Sequence, residues 1–350
     1  MMGTVTRQRI AAALALAVLA GAAVTFPLVF SSPATTNYGV YALIFVTAVS
    51  AWNVFSGFSG YISLGQAVFF GSGAYAVGIA ARDWHVSGVA VFGLLPLGAA
   101  VGAAIAVPFG LVALRVRRHT FIVITIAVFF IFQLMAYNLS SFTGGSVGVS
   151  APFLPWTATT FNERFYYIAL ACAVVMIVIA AGVRRSRFGL QLRAIRDDED
   201  RARGLGVHAM RVKLAAFALS AAVTGLVGGV WFLYLTQVQP PSGFDPLFDL
   251  SVVLMAFFGG VGTISGPVLG ALIIEPAQLY LTATYTNGYI SEIMLGALFL
   301  AVVLFMPRGI IPTAGEWITR LRTRGRPAVP AAAAAAAPQS AGKAAAGDTA

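Results

Sequence analysis

Apolar residues run in long blocks separated by short polar punctuation. The blocks lie at about Ile10 to Phe30, Tyr38 to Phe55, Tyr61 to Ala80, Val89 to Leu114, Phe121 to Leu139, Phe165 to Val183, Leu214 to Thr236, Ile264 to Leu281 and Tyr289 to Met306. Each is long enough, at ~1.5 Å per helical residue, to cross roughly 30 Å of hydrocarbon. The pattern predicts an all-α polytopic membrane protein with about nine transmembrane helices. Leu250 to Phe258 is too short to cross and ends in Gly259, Gly260 and Gly262. It reads as a re-entrant or broken element that dips in and returns.

Composition agrees with the pattern. Of the 350 residues, 59% are hydrophobic and 10% charged, and the mean hydropathy is +0.86. A soluble chain of this length cannot hide so much apolar surface, which excludes a soluble enzyme, a nucleic-acid binder and a secreted scaffold. Cys172 lies alone in an apolar run, and His85, His119 and His208 are scattered without metal-ligand spacing. Neither a disulfide framework nor a metal site is expected.

The net charge of +10 acquires meaning from position. Arg7 and Arg9 precede the first block, which resembles a signal peptide but continues too far; an uncleaved helix is preferred to a cleaved one. With that end cytoplasmic, alternation places two basic residues there, three at Arg115, Arg117 and Arg118, nine from Arg184 to Lys213 and six beyond Met306 on one side. Only Arg82 and Arg164 of the 22 fall outside, as a positive-inside protein requires. The re-entrant reading of Leu250 to Phe258 is taken to return Arg308 and the tail to the cytoplasm. Residues 1–37 then hold an N-terminal helix and external loop, 38–310 the transmembrane domain with a cytoplasmic loop at 184–213, and 311–350 a cytoplasmic tail. The tail is basic from Arg320 to Arg326, suited to anionic lipid headgroups or simply to halting the last helix, then Ala/Pro/Gly-rich and expected to be disordered.

Four stretches carry more than hydrophobicity. From Gly57 to Tyr75, glycines at 57, 60, 65, 71 and 73 accompany Ser63 and Gln66. Polar groups and irregular backbone at membrane depth suit a substrate pathway, while the glycines alone suit tight helix packing. From Gly259 to Gly270 a similar pattern includes Gly260, Gly262 and Ser265, and Gly262-Thr-Ile-Ser265 echoes Gly60-Tyr-Ile-Ser63. Paired broken segments build the central sites of transporters, although chance similarity between glycine-rich stretches competes. Glu275 is read as the one carboxylate well inside a span, either functional or bonded to backbone freed by Pro276. The loop Ser141 to Ser150 reads as an ordered external loop. Finally, Arg184 to Gly206 mixes acids and bases: Arg193/Asp197, Arg196/Asp200 and Glu199/Arg203 stand four apart, and Phe188, Leu192 and Ile195 share one face. That is an amphipathic helix for docking on a cytosolic partner or the membrane surface.

These stretches, with Thr143-Gly-Gly-Ser146, Phe188-Gly-Leu-Gln-Leu-Arg-Ala-Ile-Arg-Asp197, Arg203-Gly-Leu-Gly206, Leu254 to Gly270 and Pro307-Arg-Gly309, resemble the LivM-type permease subunit of the branched-chain (hydrophobic) amino acid ABC importers over roughly Tyr38 to Ile310. The resemblance implies a bacterial inner-membrane permease with both termini cytoplasmic, a related LivH-like second permease, two cytosolic ATPase subunits and an extracytoplasmic substrate-binding protein. It implies alternating access, with Phe188, Gly189, Leu192, Arg193, Ile195, Arg196 and Asp197 in the coupling element. Ser63, Gln66, Gly259, Gly260, Gly262, Ser265 and Glu275 are the pathway candidates. No GxxxxGK[ST] phosphate loop occurs, so ATP is expected to be used by the partners, with no cofactor held by this chain. Departures from the family pattern at Phe130, Gln133, Arg187 and Glu275-Pro276 weaken the step to leucine, isoleucine and valine. A channel or secondary transporter for urea or a short amide is the alternative; a membrane enzyme lacks a catalytic constellation.

Overall fold

The computed structural model describes residues 21–30 and 32–284, and beyond them scattered positions from 293 to 313. The part before residue 21 of the expected N-terminal helix, most of the expected span from Tyr289 to Met306 and the tail from Arg320 lie outside the described residues. The main compact unit extends to Ile311; of the second, Pro312–Ala350, only Thr313 is described.

The described residues are helical nearly throughout. α1 (residues 21–29) is followed by α2 (Pro33–Trp52), which runs on into a π-helical turn (Asn53–Gly57), and by α3 (Gln66–Asp83). A 3-10 turn (Gly88–Leu94) leads into α4 (Leu95–Ala113), then α5 (Arg118–Asn138), α6 (Ser140–Thr143), β1 (Val149–Ser150) and α7 (Ala158–Arg185). The polar loop holds α8 (Arg187–Asp197) and α9 (Glu199–Gly204). α10 (Ala209–Leu235), β2 (Gln237–Val238), α11 (Pro240–Gly243), α12 (Pro246–Gly259) and α13 (Ser265–Thr284) complete it.

Six segments are long and apolar enough to cross a membrane among the described residues: Pro33–Gly57, Gly88–Ala113, Arg118–Asn138, Thr160–Arg185, Ala209–Leu235 and Pro240–Gly259. α2 and α10 are largely buried and form the centre, whereas α4, α5 and α7 turn most of their side chains outward. Such outward apolar faces belong against lipid or another apolar chain.

Small residues set the tightest packing. Gly73 of α3 lies against the Gly225 backbone of α10, where a Cβ would overlap the Gly225 carbonyl; Gly98 of α4 meets that same carbonyl, and its Cβ would stand 2.8 Å away. Without a hydrophobic force between helices in lipid, close backbone approach of this kind supplies much of the attraction. Gly71 and Gly73 are therefore packing glycines, and the polar half of their stretch lies elsewhere.

The Leu250 to Phe258 expectation is corrected. β2 pairs with β1 at the end of the molecule that carries the Ser141 to Ser150 loop, with Val149 opposite Val238. From there α11 enters the bundle, Gly243 lying against Gly71, and α12 continues to the opposite end, where Gly262 meets Arg196 of α8. The segment runs from one end of the bundle to the other and, as Pro240–Gly259, is long and apolar enough to cross, rather than dipping and returning. Hydropathy alone truncates it because Pro240–Gly243 and Asp249 interrupt its first half. Nine crossings from a cytoplasmic start would also leave the tail on the far side, contrary to the charge tally. Gly309 is again at the loop end, where a Cβ on it would stand 2.6 Å from the Gly260 nitrogen.

Candidate functional site: two backbone breaks gripped by a polar loop

α2 does not stop cleanly. It widens into the π turn, reverses at Gly60 with φ of +74°, and stays non-helical to Gly65 before α3 begins. Non-helical backbone here needs internal partners. Trp52 Nε1 donates to the Ser63 carbonyl at 2.8 Å, the Ser63 N–H to Ser56 Oγ at 3.2 Å, and the Leu64 N–H to Thr125 Oγ1 at 3.1 Å. A buried N–H at the start of α3 meets a carboxyl group from α12: Ala67 N–H donates to Asp249 Oδ1 at 3.0 Å. An acceptor there satisfies one of the N–H groups that a helix start leaves without an intrahelical partner. Gln66 Nε2 donates to Ser220 Oγ at 2.8 Å. Ser63 Oγ, Gln66 Oε1 and Asp249 Oδ2 are buried without a hydrogen-bond partner among the described residues.

The second break, between α12 and α13, is tied to the first through one side chain. Asn53 Nδ2 donates to the Thr263 carbonyl, and the Gly262 N–H donates to Asn53 Oδ1, both at 2.7 Å. Thr263 Oγ1 in turn accepts from the Gly266 N–H at 2.9 Å, opening α13.

The polar loop closes over both breaks. Ser186 caps α8 and Asp198 caps α9, its carboxylate accepting from the Asp200 and Arg201 N–H groups at 3.0 Å each. The break at Asp198 corrects the single-helix expectation: Glu199/Arg203 pairs at 2.5 Å, while Arg193/Asp197 and Arg196/Asp200 form no ion pair among the described residues. Arg196 instead donates to the Gly57 carbonyl at 2.8 Å, and Arg118 of α5 donates to the Ile195 and Arg196 carbonyls at 2.8 and 2.7 Å. Leu192 and Ile195 are fully buried in the chain's own core. The apolar face of α8 is thus spent inward, and the face left outward carries Arg187, Leu190, Arg193, Asp197 and, from α9, Asp200.

Lys213, at the start of α10, is 1% exposed and donates to Glu199 Oε1 at 2.8 Å, Tyr61 Oη at 3.1 Å and the Leu114 carbonyl at 3.2 Å. Tyr61 Oη donates to Glu199 Oε2 at 2.5 Å. Burial acts to raise the Glu199 carboxyl, but the hydrogen bonds from Lys213 and Tyr61 and the charges of Lys213 and Arg203 outweigh it and hold it below its ordinary value.

The structure therefore brings Gly262, and through Gly57 the start of the first break, to Arg196 at the loop end; Ser63 and Gln66 lie further along that break on Trp52 and Ser220, and Gly259 packs on Gly266, with Gly260 next to it. Ser265 opens α13 beside them. Glu275 stands apart, buried along α13 toward α2 with Oε2 unpartnered among the described residues. It is not the only carboxylate within a span, which corrects that reading: Asp249 is 5% exposed inside α12. Its signal was Asp245-Pro246, a helix start that places Asp249 in the first turn. Lys213 was counted only as an inward charge, since nothing local in sequence marks it as buried.

Apolar crossings, two joined breaks in their backbone and a polar loop gripping both define a polytopic membrane permease. The chain belongs to the family described as the branched-chain amino acid transport system permease component, which matches residues 34–303. It is 26% identical over 320 residues to the high-affinity branched-chain amino acid transport system permease protein LivM of Escherichia coli (strain K12), covering 83% of this chain and 72% of that one. A probable LivM of Methanocaldococcus jannaschii is 25% identical, covering 62% and 65%. The related LivH permease of Salmonella typhimurium is 29% identical over 184 residues, 50% of this chain and 59% of that protein. No solved structure matches.

Proposed function

We propose that this chain is one of two permease subunits of an ATP-driven importer for branched-chain or other hydrophobic amino acids. It works by alternating access. The second permease is a related LivH-like chain, two cytosolic ATPase subunits bind and hydrolyse the ATP, and an extracytoplasmic binding protein delivers substrate. This chain is not itself the ATPase and holds no cofactor.

The loop end faces the cytoplasm, as the basic residues of α8, α9 and the start of α10 favour. Counting Pro240–Gly259 as a crossing makes the total even and keeps both termini on that side. The observation that carries the proposal is the grip of the polar loop on the first backbone break, through Arg196 on Gly57 and Glu199 on Tyr61, with Asn53 tying that break to the second and Arg196 lying against Gly262. A loop so held cannot move without moving the start of α3 and the α12–α13 turn, where Ser63, Gln66 and Asp249 line the pathway.

Phe188, Leu192, Ile195 and Arg196 position the loop, and its outward face from Arg187 and Leu190 to Asp200 and Leu205 seats the ATPase. Affinity purification from native membranes in mild detergent, followed by mass spectrometry, tests the assembly. Stoichiometric ATPase subunits and a second permease are expected. Reproducible recovery of this chain alone, where other multi-subunit importers stay intact, would overturn it.

A further inference from the structure

At the end opposite the polar loop, a cavity of about 450 Å³ lies between α3, α4 and α5 beneath α6. It falls within the roughly 300–1,000 Å³ typical of small-molecule sites. α5 packs only sparsely on α3 and α4, which leaves the space. Ile79, Leu97, Val101 and Phe132 make apolar walls. Tyr75 lies on its floor, stacked on Phe244 with ring centroids 5.9 Å apart, and Gln133 Nε2 holds the Phe244 carbonyl at 2.7 Å. Tyr75 is 5% exposed and its hydroxyl has no hydrogen-bond partner among the described residues.

The mouth is charged with both signs. Asp83 lines it, and Arg82 pairs with Asp83 at 2.8 Å while reaching the Phe142 carbonyl at 3.4 Å. Both side chains are about half exposed, so each can exchange its partner at little cost. An acyl chain would match the walls but has no use for adjacent opposite charges. A zwitterion does: its ammonium meets Asp83 and its carboxylate Arg82, while an aliphatic side chain enters the cavity.

We infer that this cavity is an outer substrate subsite, taking a zwitterionic amino acid with an aliphatic side chain as it leaves the delivery protein. The inference rests on the importer function proposed above and adds the place and the chemistry of reception. Arg82, one of the two basic residues outside the cytoplasmic tally, gains a role that the charge rule alone leaves open.

The test uses the whole complex in proteoliposomes, with saturating loaded binding protein, and compares initial uptake of L-leucine and L-alanine. Ile79→Trp fills the cavity and is expected to lower leucine uptake about tenfold while alanine falls much less. Asp83→Asn, at an exposed position that spares folding, is expected to lower both roughly fivefold through loss of the ammonium contact. Recovery of the assembled complex is measured alongside, so that a folding or assembly defect is told apart from a lost substrate contact. Leucine uptake unaltered in both variants, or equal losses of leucine and alanine in Ile79→Trp, overturns the subsite and leaves the importer standing. Absence of ATP-dependent amino acid uptake by the wild-type complex overturns the importer, and the subsite with it.

Discussion

The Lys213 ammonium lies 2.8 Å from Glu199 Oε1, one group buried at the base of α10 and the other on the short helix α9 of the polar loop. The pair joins a loop that lies outside the crossings to a helix at their centre. Removing one member strands the other, at a cost of about 3–5 kcal/mol for a buried pair. Glu199→Gln should therefore lower the unfolding temperature of the purified complex more than the double variant Glu199→Gln/Lys213→Met does. Equal melting in both would show that the buried ammonium is already satisfied by Tyr61 and the Leu114 carbonyl.

The same carboxylate sets a pH dependence. Its folded pKa is held below the unfolded value, so the stabilisation is fully present above the ordinary carboxylate range and is lost as pH falls through the depressed value. Coupling of ATP hydrolysis to uptake should be flat from neutral pH down to about pH 5 as far as Glu199 is concerned. Glu199→Gln removes the acid limb it contributes. A wild-type and a variant profile that coincide below that range would contradict this.

Gly73 and Gly225 touch backbone to backbone, so the smallest added side chain has nowhere to go. Gly73→Ala should destabilise by about 1–3 kcal/mol through overpacking. Gly182, on α7 with nothing within 4 Å of an added Cβ, is the control. There the alanine gains helix propensity of up to about 1 kcal/mol. Thermal unfolding of the two variants should move in opposite directions.

Asn53 carries both hydrogen bonds that tie the π turn to the α12–α13 turn. Asn53→Ala removes a net of about 1 kcal/mol per bond and frees the Gly262 amide. Hydrogen exchange should speed up at residues 260–264 and leave the centre of α10 unchanged. Uniform acceleration across the bundle would instead mean that Asn53 supports the global fold.

Much of this was legible because lipid demands long apolar blocks, and those blocks start or end within a few residues of α2, α5, α7, α10 and α13. The loop's polar character and the buried face of Leu192 and Ile195 were legible from helical spacing. What misled was local interruption. Asp249 looked like the polar edge of an apolar run when it is a buried group at the head of α3, and Pro240–Gly243 hid the first half of a crossing. Asp198 looked like one more acid in a charged helix when its side chain starts a new one. Lys213 became visible only in three dimensions, since its partners Tyr61, Leu114 and Glu199 come from separate segments.

The most direct test is a photo-crosslinking amino acid placed at Leu205, which is 86% exposed at the end of α9, in the complex in its native membrane. Irradiation should yield one dominant adduct with a cytosolic ATPase subunit, strengthened or weakened by ATP. A control at Phe153, 83% exposed at the opposite end, should give none. Adducts at Leu205 with lipid alone, or an ATPase adduct at Phe153, would contradict the seat assigned to the polar loop.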